Sequence, residues 1–251
     1  MLASPERLTK KQKRILRQER VIDKSGNIQS NNFKLKKIQP LTQAQIDAFE
    51  SFDEGYNLFL HGFAGTGKTF IALYLALDLI QKVNLYKKVY IVRSVVPSRD
   101  MGFLPGNAKE KTKIYETPYY DICNKLYGRG DAYDVLKTKN ILEFISTSFI
   151  RGITLDDCIV IVDEMQNMNS MELHSIMTRI GENCKIVFSG DINQDDLTSE
   201  RKKEYSGLRD FMRIIENMKE FDFIDFTQDD IVRSQIVKSY IIERHKLGMD
   251  F

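Results

Sequence analysis

Residues 62–69 carry the strongest chemical pattern in the chain, Gly-Phe-Ala-Gly-Thr-Gly-Lys-Thr. This is the spacing of a phosphate-binding loop, in which backbone N–H groups surround a polyphosphate, the lysine reaches its β- and γ-phosphates and the last hydroxyl holds Mg²⁺. The apolar run Leu58–Leu60 precedes the loop and Phe70–Leu75 follows it, which is the strand-to-helix setting that this mechanism needs. The residues predicted to contact a nucleoside triphosphate are Gly62, Ala64, Gly65, Thr66, Gly67, Lys68 and Thr69.

A pair of carboxylates, Asp163 and Glu164, directly follows the apolar run Cys158–Val162. Continuous apolar runs are typical of buried parallel strands, and ligands of such sheets bind at the carboxyl ends of the strands. We therefore expect Asp163 to position Mg²⁺ opposite the phosphate loop, directly or through water, and Glu164 to polarise the attacking water as a general base or orienting group. Two ordinary surface carboxylates after a strand are the weaker alternative.

Further polar residues follow the later predicted strands. Gln194, in the segment Ser189–Gln194, is a candidate sensor of the γ-phosphate, and Asp191 can accept from water or from Lys68. Arg233 is the candidate for neutralising charge on the transferred phosphoryl group; a helix-capping or surface arginine is an alternative of nearly equal weight. The histidines show no metal-ligand spacing, and no Ser–His–Asp or Cys–His arrangement indicates a covalent nucleophile.

Length and composition favour one large α/β domain. The chain has 251 residues, of which 42% are hydrophobic and 29% charged, as is ordinary for a globular protein. No apolar segment approaches the ~20 residues of a membrane span. Three well-separated cysteines are expected to be reduced packing residues. We therefore expect a cytoplasmic protein without a membrane partner.

The positive charge is concentrated at the N-terminus. Residues 1–37 contain 11 Lys and Arg against 3 Asp and Glu, whereas the remainder contains 26 against 32. Such a basic arm is a candidate contact for nucleic acid; a solvated tail that only keeps the protein soluble is an equal alternative. We expect residues 1–37 to form a flexible arm and residues 38–251 to form a single domain.

Short apolar segments alternate with helical patterns from residue 40 onward, which predicts βαβ units and a parallel sheet. Thr42 is the expected N-cap of a first helix, Gln43–Phe52. The predicted strands are Asn57–His61, Lys88–Arg93, Glu143–Thr147, Cys158–Asp163, Lys185–Ser189 and Asp222–Thr227. The further predicted helices are Lys68–Gln81, Glu110–Tyr127, Met171–Ile180, Gly207–Lys219 and Arg233–Leu247. Cys158–Asp163 is expected to be a central strand.

These motifs together resemble the PhoH family of P-loop ATPases, which is similar to the first RecA-like domain of superfamily 1 helicases. The resemblance covers about residues 41–247. Gly-Phe-Leu-Pro-Gly and Arg-Gly-x-Thr-Leu are distinctive of that family, whereas the phosphate loop alone is not. The motifs that carry the resemblance are Gly62–Thr69, Arg93–Pro97, Gly102–Gly106, Arg151–Leu155, Asp163–Asn167, Thr178–Gly181, Ser189–Asp191 with Gln194, and Ser206–Leu208.

The resemblance implies roles for single residues. It places the phosphate loop on the nucleotide and Mg²⁺, the acidic pair on the metal and the hydrolytic water, and Gln194 on the γ-phosphate. Gln45 resembles a glutamine that reads adenine in related helicases, since a side-chain amide both donates and accepts. Asp229–Ser234 resembles an Asp-x-Val-Arg element that contains Arg233, with serine where a histidine is usual. Met165 replaces the usual alanine after the acidic pair.

The implied fold is a RecA-like P-loop NTPase, an α/β structure with a mainly parallel central sheet and helices on both faces. The implied activity is Mg²⁺-dependent ATP hydrolysis, coupled in a helicase-like way to single-stranded RNA or DNA. A standard helicase closes ATP between two RecA-like domains, and this chain has room for one. We therefore expect a homo-oligomer, a hexamer by resemblance, in which a neighbouring chain supplies an arginine.

Other functions remain open at this level. An ATP-binding switch or scaffold would act on a protein partner without nucleic acid, and a phosphotransferase is a third possibility. Tyr115, Tyr119 and Tyr120 lie in a stretch, residues 95–120, whose aromatic rings either stack bases or pack against the sheet. The departures from the family pattern resemble those of a phage or similarly divergent copy that acts in a bacterial cytoplasm.

Overall fold

A computed structural model describes residues 20–22, 28–30, 33–95, 108–191 and 207–247. Gln194, the Gly102–Gly106 motif, Ser206 and most of the basic arm lie outside the described residues. The described strands are β1 (Arg20–Ile22), β2 (Ile28–Ser30), β3 (Asn57–Gly62), β4 (Lys88–Arg93), β5 (Leu142–Ser146), β6 (Cys158–Asp163), β7 (Lys185–Ser189) and β8 (Phe221–Phe226). The described α-helices are α1 (Gln43–Asp53), α2 (Lys68–Lys82), α3 (Ala108–Tyr127), α4 (Ala132–Thr138), α5 (Ser170–Met177), α6 (Leu208–Ile215) and α7 (Gln235–Lys246).

Six strands form a parallel sheet in the order β5-β4-β6-β7-β3-β8. The predicted α/β class is therefore confirmed. β7 lies between β3, which leads into the phosphate loop, and β6, which carries the acidic pair. Ser189 of β7 is in register with Leu60 on one side and with Asp163 on the other. The polar residues that follow these three strands therefore meet at one edge of the sheet.

Helices cover both faces of this sheet. Successive side chains of a strand point to opposite sides, and the central strands carry apolar side chains on both sides that the helices bury. In β6, Ile159 and Ile161 join the core beneath α1 to α4, whereas Val160 and Val162 join the core beneath α5 and α6. All six residues of β6 are buried. A central strand that is apolar toward both faces holds the residue at its end in a fixed place.

The predicted strands agree with the observed ones to within one residue at each end. Thr42 caps α1, since its side chain accepts from the N–H of Gln45. The predicted extension of α5 to Ile180 is wrong, because Ile180 forms a parallel bridge with Leu155 instead. α6 likewise ends before the predicted Lys219, at Ile215. The short helix α4 was not predicted at all.

The three cysteines are free thiols in the structure. No helix in the described segments combines the length and apolar character needed to cross a bilayer.

Candidate functional site

The phosphate loop leaves β3 in a conformation that only glycine accepts. Gly62 has φ 111°, and a Cβ at this position would lie 2.1 Å from the carbonyl oxygen of Phe226. Gly67 has φ 89° and directly precedes α2. Both values lie in the region that side chains rarely adopt. The loop therefore turns tightly from the strand into the helix and brings the N-terminus of α2 to the edge of the sheet.

Lys68, the first residue of α2, points back into this loop. Its ammonium group donates to the carbonyl oxygens of Gly62 and Phe63, each at 2.7 Å. Burial lowers the pKa of Lys68, whereas the carboxylates of Asp191 and Glu164 act in the opposite direction. The side chain is 9% exposed. The Lys68 side chain is thus held inside the loop, where its ammonium group would contact a bound phosphate.

Asp163, at the end of β6, receives a hydrogen bond on each carboxylate oxygen. The hydroxyl of Thr69 donates to Oδ1 at 2.8 Å, and that of Tyr119 donates to Oδ2 at 2.8 Å. Burial and the adjacent carboxylate raise the pKa of Tyr119 well above its ordinary value, so its hydroxyl keeps its proton and is the donor. The structure thus brings together the two predicted magnesium ligands, Thr69 and Asp163.

These two oxygen ligands fit Mg²⁺. Magnesium prefers hard oxygen donors and is usually held by one or two carboxylates together with water and substrate phosphates, rather than by a cage of protein ligands. Accordingly, the described segments contain no group of three or more His, Cys, Asp or Glu residues placed to hold a metal. The Thr69 hydroxyl and the Asp163 carboxylate would supply the protein side of such a site.

Glu164 occupies an unusual backbone conformation, with φ 53° and ψ 46°. For a residue other than glycine this left-handed conformation costs about 1 kcal/mol or more, and it is concentrated at functional sites. The Gln166 amide donates to Glu164 Oε2 at 2.6 Å, and its own oxygen accepts from the N–H of Asp191 at 3.1 Å. Burial, followed by the charge of Asp163, raises the pKa of Glu164.

Arg93, at the end of β4, lies beside the acidic pair. Its guanidinium carbon is 5.7 Å from the centroid of the Tyr115 ring. Burial alone would lower the pKa of Arg93, but Tyr119 and the two carboxylates raise it above its ordinary value. A cation that cannot lose its proton therefore lies among the carboxylates at this edge.

The phosphate loop and the acidic pair line one cavity of about 580 Å³, within the range of small-molecule sites. The predicted residues among its lining are Gln45, Ala64, Gly65, Thr66, Gly67, Lys68, Thr69, Asp163, Glu164, Asp191 and Arg233. Gly62 lies behind the loop, hydrogen-bonded to Lys68 through its carbonyl oxygen. The predicted sensor, Gln194, lies outside the described residues.

Gln45 and Arg233 both pack against the loop. The Gln45 side chain accepts from the N–H of Leu41 at 2.9 Å and donates to the carbonyl oxygen of Thr66 at 3.0 Å. Its amide is thereby oriented, and each end retains one further hydrogen-bonding position. Arg233 is exposed, and a Cβ at Gly65 would lie 3.0 Å from its Cγ. Arg233 therefore packs its side chain on the loop and remains exposed to solvent.

Tyr119 and Gln166 are the site residues whose contacts the sequence did not predict. Among the tyrosines of residues 95–120, Tyr119 is 1% exposed and packs against the sheet. Tyr120 is half-buried, and its hydroxyl donates to Asp134 at 2.9 Å. A tyrosine within one helix carries no local pattern that would indicate a distant carboxylate as its partner.

A phosphate loop at the end of one strand and an acidic pair at the end of another, with a single strand between them, define a RecA-like P-loop NTPase. The family model for PhoH-like protein matches residues 37–244. The chain therefore belongs to the PhoH-like family.

Individual relatives agree with this assignment. The chain is 32% identical over 213 residues to a PhoH-like protein of Bacillus subtilis (strain 168), covering 84% of this chain and 65% of the relative. It is 30% identical over 196 residues to Protein PhoH of Escherichia coli (strain K12), covering 77% of this chain and 54% of that protein. The chain thus spans less than two thirds of the length of these relatives.

Two solved structures resemble the chain more distantly. The large terminase from the thermophilic bacteriophage D6E, in complex with ADP, has a TM-score of 0.48 at 13% identity, covering 80% of this chain and 49% of the terminase chain. The Pif1 helicase from Candida albicans has a TM-score of 0.38 at 15% identity, covering 76% and 41%. At these scores neither structure informs the function.

Proposed function

We propose that the chain is an Mg²⁺-dependent ATPase whose nucleotide cycle acts on single-stranded RNA or DNA. The observation that supports hydrolysis most directly is the placement of Glu164. This carboxylate lies in the same cavity as the phosphate loop, is held by Gln166, and has a raised pKa. A general base works best when its pKa approaches the operating pH.

In this proposal the loop N–H groups and Lys68 bind the triphosphate. Lys68 exchanges its two carbonyl partners for phosphate oxygens, which carry full charge and form stronger hydrogen bonds. Thr69 and Asp163 hold Mg²⁺, which when bound neutralises charge on the phosphates. Glu164 takes a proton from the attacking water, and the positive charge of Arg93 partly opposes the rise in the pKa of Glu164. Gln45 contacts the base, and Gln194 contacts the γ-phosphate.

The test is ATP turnover by wild type and Glu164→Gln, with and without single-stranded RNA or DNA. The proposal predicts turnover that polynucleotide stimulates and that falls at least 100-fold in Glu164→Gln, while Mg²⁺–ATP binding is retained. Turnover indifferent to every polynucleotide would remove the nucleic-acid part of the proposal. Bound ATP without any hydrolysis would refute the enzyme.

Arg233 is proposed to act on the nucleotide of a neighbouring copy in a homo-oligomer, a hexamer by family resemblance. Its side chain is exposed at the rim of the cavity, so a second chain could approach it. Equal mixtures of Arg233→Ala and Glu164→Gln subunits test this: action in trans predicts recovery of part of the activity, because some sites combine an intact Glu164 with an intact Arg233. Mixtures as inactive as either variant alone would refute it.

The alternative is an ATP-dependent switch that binds a protein partner. One observation favours it: the outer side of α7, beside the phosphate loop, exposes Ile236, Tyr240 and, just after the helix, Leu247, at 79%, 64% and 67%. Several large apolar side chains exposed close together are typical of a site that binds another protein. Light scattering of the purified protein with and without ATP shows whether this surface binds a second copy of the chain or a different protein. Only binding of a second copy increases the molar mass of the purified protein.

A further inference from the structure

Helix α3 reaches the magnesium-binding end of the sheet through Tyr119. The Tyr119 side chain is 1% exposed, and its ring packs 5.8 Å from that of Phe144 in β5. From this fixed position its hydroxyl donates to Asp163 Oδ2, the oxygen that does not accept from Thr69. The two donors divide the carboxylate between them, so its rotation about the Cβ–Cγ bond is set from both sides.

The same face of α3 also contacts Arg93. Tyr115 precedes Tyr119 by four residues, so the two rings lie one above the other on the helix. The guanidinium group of Arg93 lies 5.7 Å from the Tyr115 ring, close enough for a cation–π contact. One helix face therefore touches the residues that end β4 and β6, and the positions of both depend on how α3 packs.

We infer that Tyr119 is a positioning residue for Asp163, and that its hydroxyl, by holding Oδ2, keeps Oδ1 beside the Thr69 hydroxyl in the orientation needed for Mg²⁺. This inference rests on the proposed magnesium site. Without the hydroxyl, this buried carboxylate oxygen loses the donor that the described residues provide, and the carboxylate is free to turn away from Thr69. Partners of this kind, one bond removed from a metal, typically change metal affinity by about 10- to 100-fold when they are replaced.

Tyr119→Phe tests the inference because it deletes one hydroxyl and keeps the ring that packs on Phe144. Tyr133→Phe is a matched control: Tyr133 is fully buried in α4, and its hydroxyl donates to Glu116 at 2.7 Å, away from Asp163. Calorimetric titration with ADP, in Mg²⁺ and separately in EDTA, measures the Mg²⁺-dependent part of nucleotide affinity without turnover.

In Mg²⁺, Tyr119→Phe is expected to bind ADP about 10-fold more weakly than wild type. In EDTA, the two proteins should bind ADP with equal affinity. Tyr133→Phe is expected to change neither value. In an Asp163→Asn background, Tyr119→Phe should have no further effect on Mg²⁺, because the carboxylate through which it acts is gone.

Three results would overturn the inference. The first is an equal loss of ADP affinity by Tyr119→Phe in Mg²⁺ and in EDTA, and the second is a Tyr119→Phe variant in which Mg²⁺ raises ADP affinity as much as in wild type. The third is an equally large loss of ADP affinity when Tyr119→Phe is added to Asp163→Asn. Failure of the proposed function itself is distinguishable. In that case wild-type protein binds no ADP, or binds it equally with and without Mg²⁺, before any variant is compared.

Discussion

Gln166 connects the strand ends of β6 and β7, and its replacement is a sharp test of the hydrolysis mechanism. The side chain is 3% exposed; its nitrogen donates to Glu164 and its oxygen accepts from the N–H of Asp191. Gln166→Leu has a similar volume and removes both bonds. The Glu164 carboxylate then loses the donor that holds it in the cavity.

The expected loss follows from the type of bond removed. A hydrogen bond to a charged group is worth about 1.5–3 kcal/mol, which corresponds to roughly 10- to 100-fold in rate if the bond is fully used in the transition state. Since the Gln166 bond lowers the pKa of Glu164, its loss raises that pKa. The acid limb of the kcat profile therefore moves to higher pH.

The assay is steady-state ATP turnover between pH 5 and 9, together with ADP affinity. Binding should stay within about threefold of wild type because the phosphate loop keeps its own contacts. Gln43→Leu is the control, since Gln43 also donates to a carboxylate, that of Asp47 at 2.8 Å, but on an exposed helix surface. The reasoning is refuted if Gln166→Leu keeps both its kcat and its acid limb.

Three further predictions concern stability. Gly62→Ala places a Cβ 2.1 Å from the Phe226 carbonyl oxygen and should cost more than about 3 kcal/mol in urea unfolding; a loss below 1 kcal/mol would contradict this close contact. Although burial opposes it, hydrogen bonds from Thr42 and neighbouring groups hold the pKa of Asp230 below its ordinary 3.8. Asp230→Asn should therefore cost about 1–3 kcal/mol at pH 7 and progressively less as the pH falls below 3.8 through the lowered pKa of the folded state, where wild type loses this stabilisation; a cost that does not change with acidification would count against it. Burial lowers the pKa of Lys185 from 10.5 to about 8, so the folded state of wild type gains stability as pH rises from about 8 toward 10.5. The melting temperature of Lys185→Met should not show this gain over the same pH range. If the melting temperatures of wild type and Lys185→Met change in parallel with pH, Lys185 is not the cause of the gain.

The sequence predicted the six strands of the parallel sheet and the phosphate loop well because both depend on local residues, but it did not predict β1 and β2. An apolar run such as Cys158–Val162 is incompatible with a solvated surface, and the glycine spacing of residues 62–69 determines a backbone path by itself. Since β6 and the loop end at the same edge of a parallel sheet, the approach of Asp163 to Thr69 follows from topology. That part of the site needed no knowledge of side-chain packing.

Contacts made through helix packing were beyond such reasoning. Tyr119 is 44 positions from Asp163 in the sequence, and three tyrosines within six residues of α3 present the same local pattern. Which of them reaches the carboxylate depends on the rotation of α3 against β4 and β5. Similarly, α4 is only seven residues long, and its burial beside α3 stabilises it more than its own helical tendency does.

Helix α7 differs from the other described α-helices, because none of its residues is buried. It is attached to the phosphate loop by the Val232 N–H, which donates to the Gly65 carbonyl oxygen at 3.1 Å, and by the edge of the His245 ring against Phe63 at 4.7 Å. An element with so little buried surface opens at a small fraction of the free energy of global unfolding. Its amide hydrogens should therefore exchange with solvent well before those of β6. The helix that follows the cavity-lining residues Val232 and Arg233 then behaves as a separate cooperative unit, and a ligand that contacts these two residues would slow that exchange by ordering the segment.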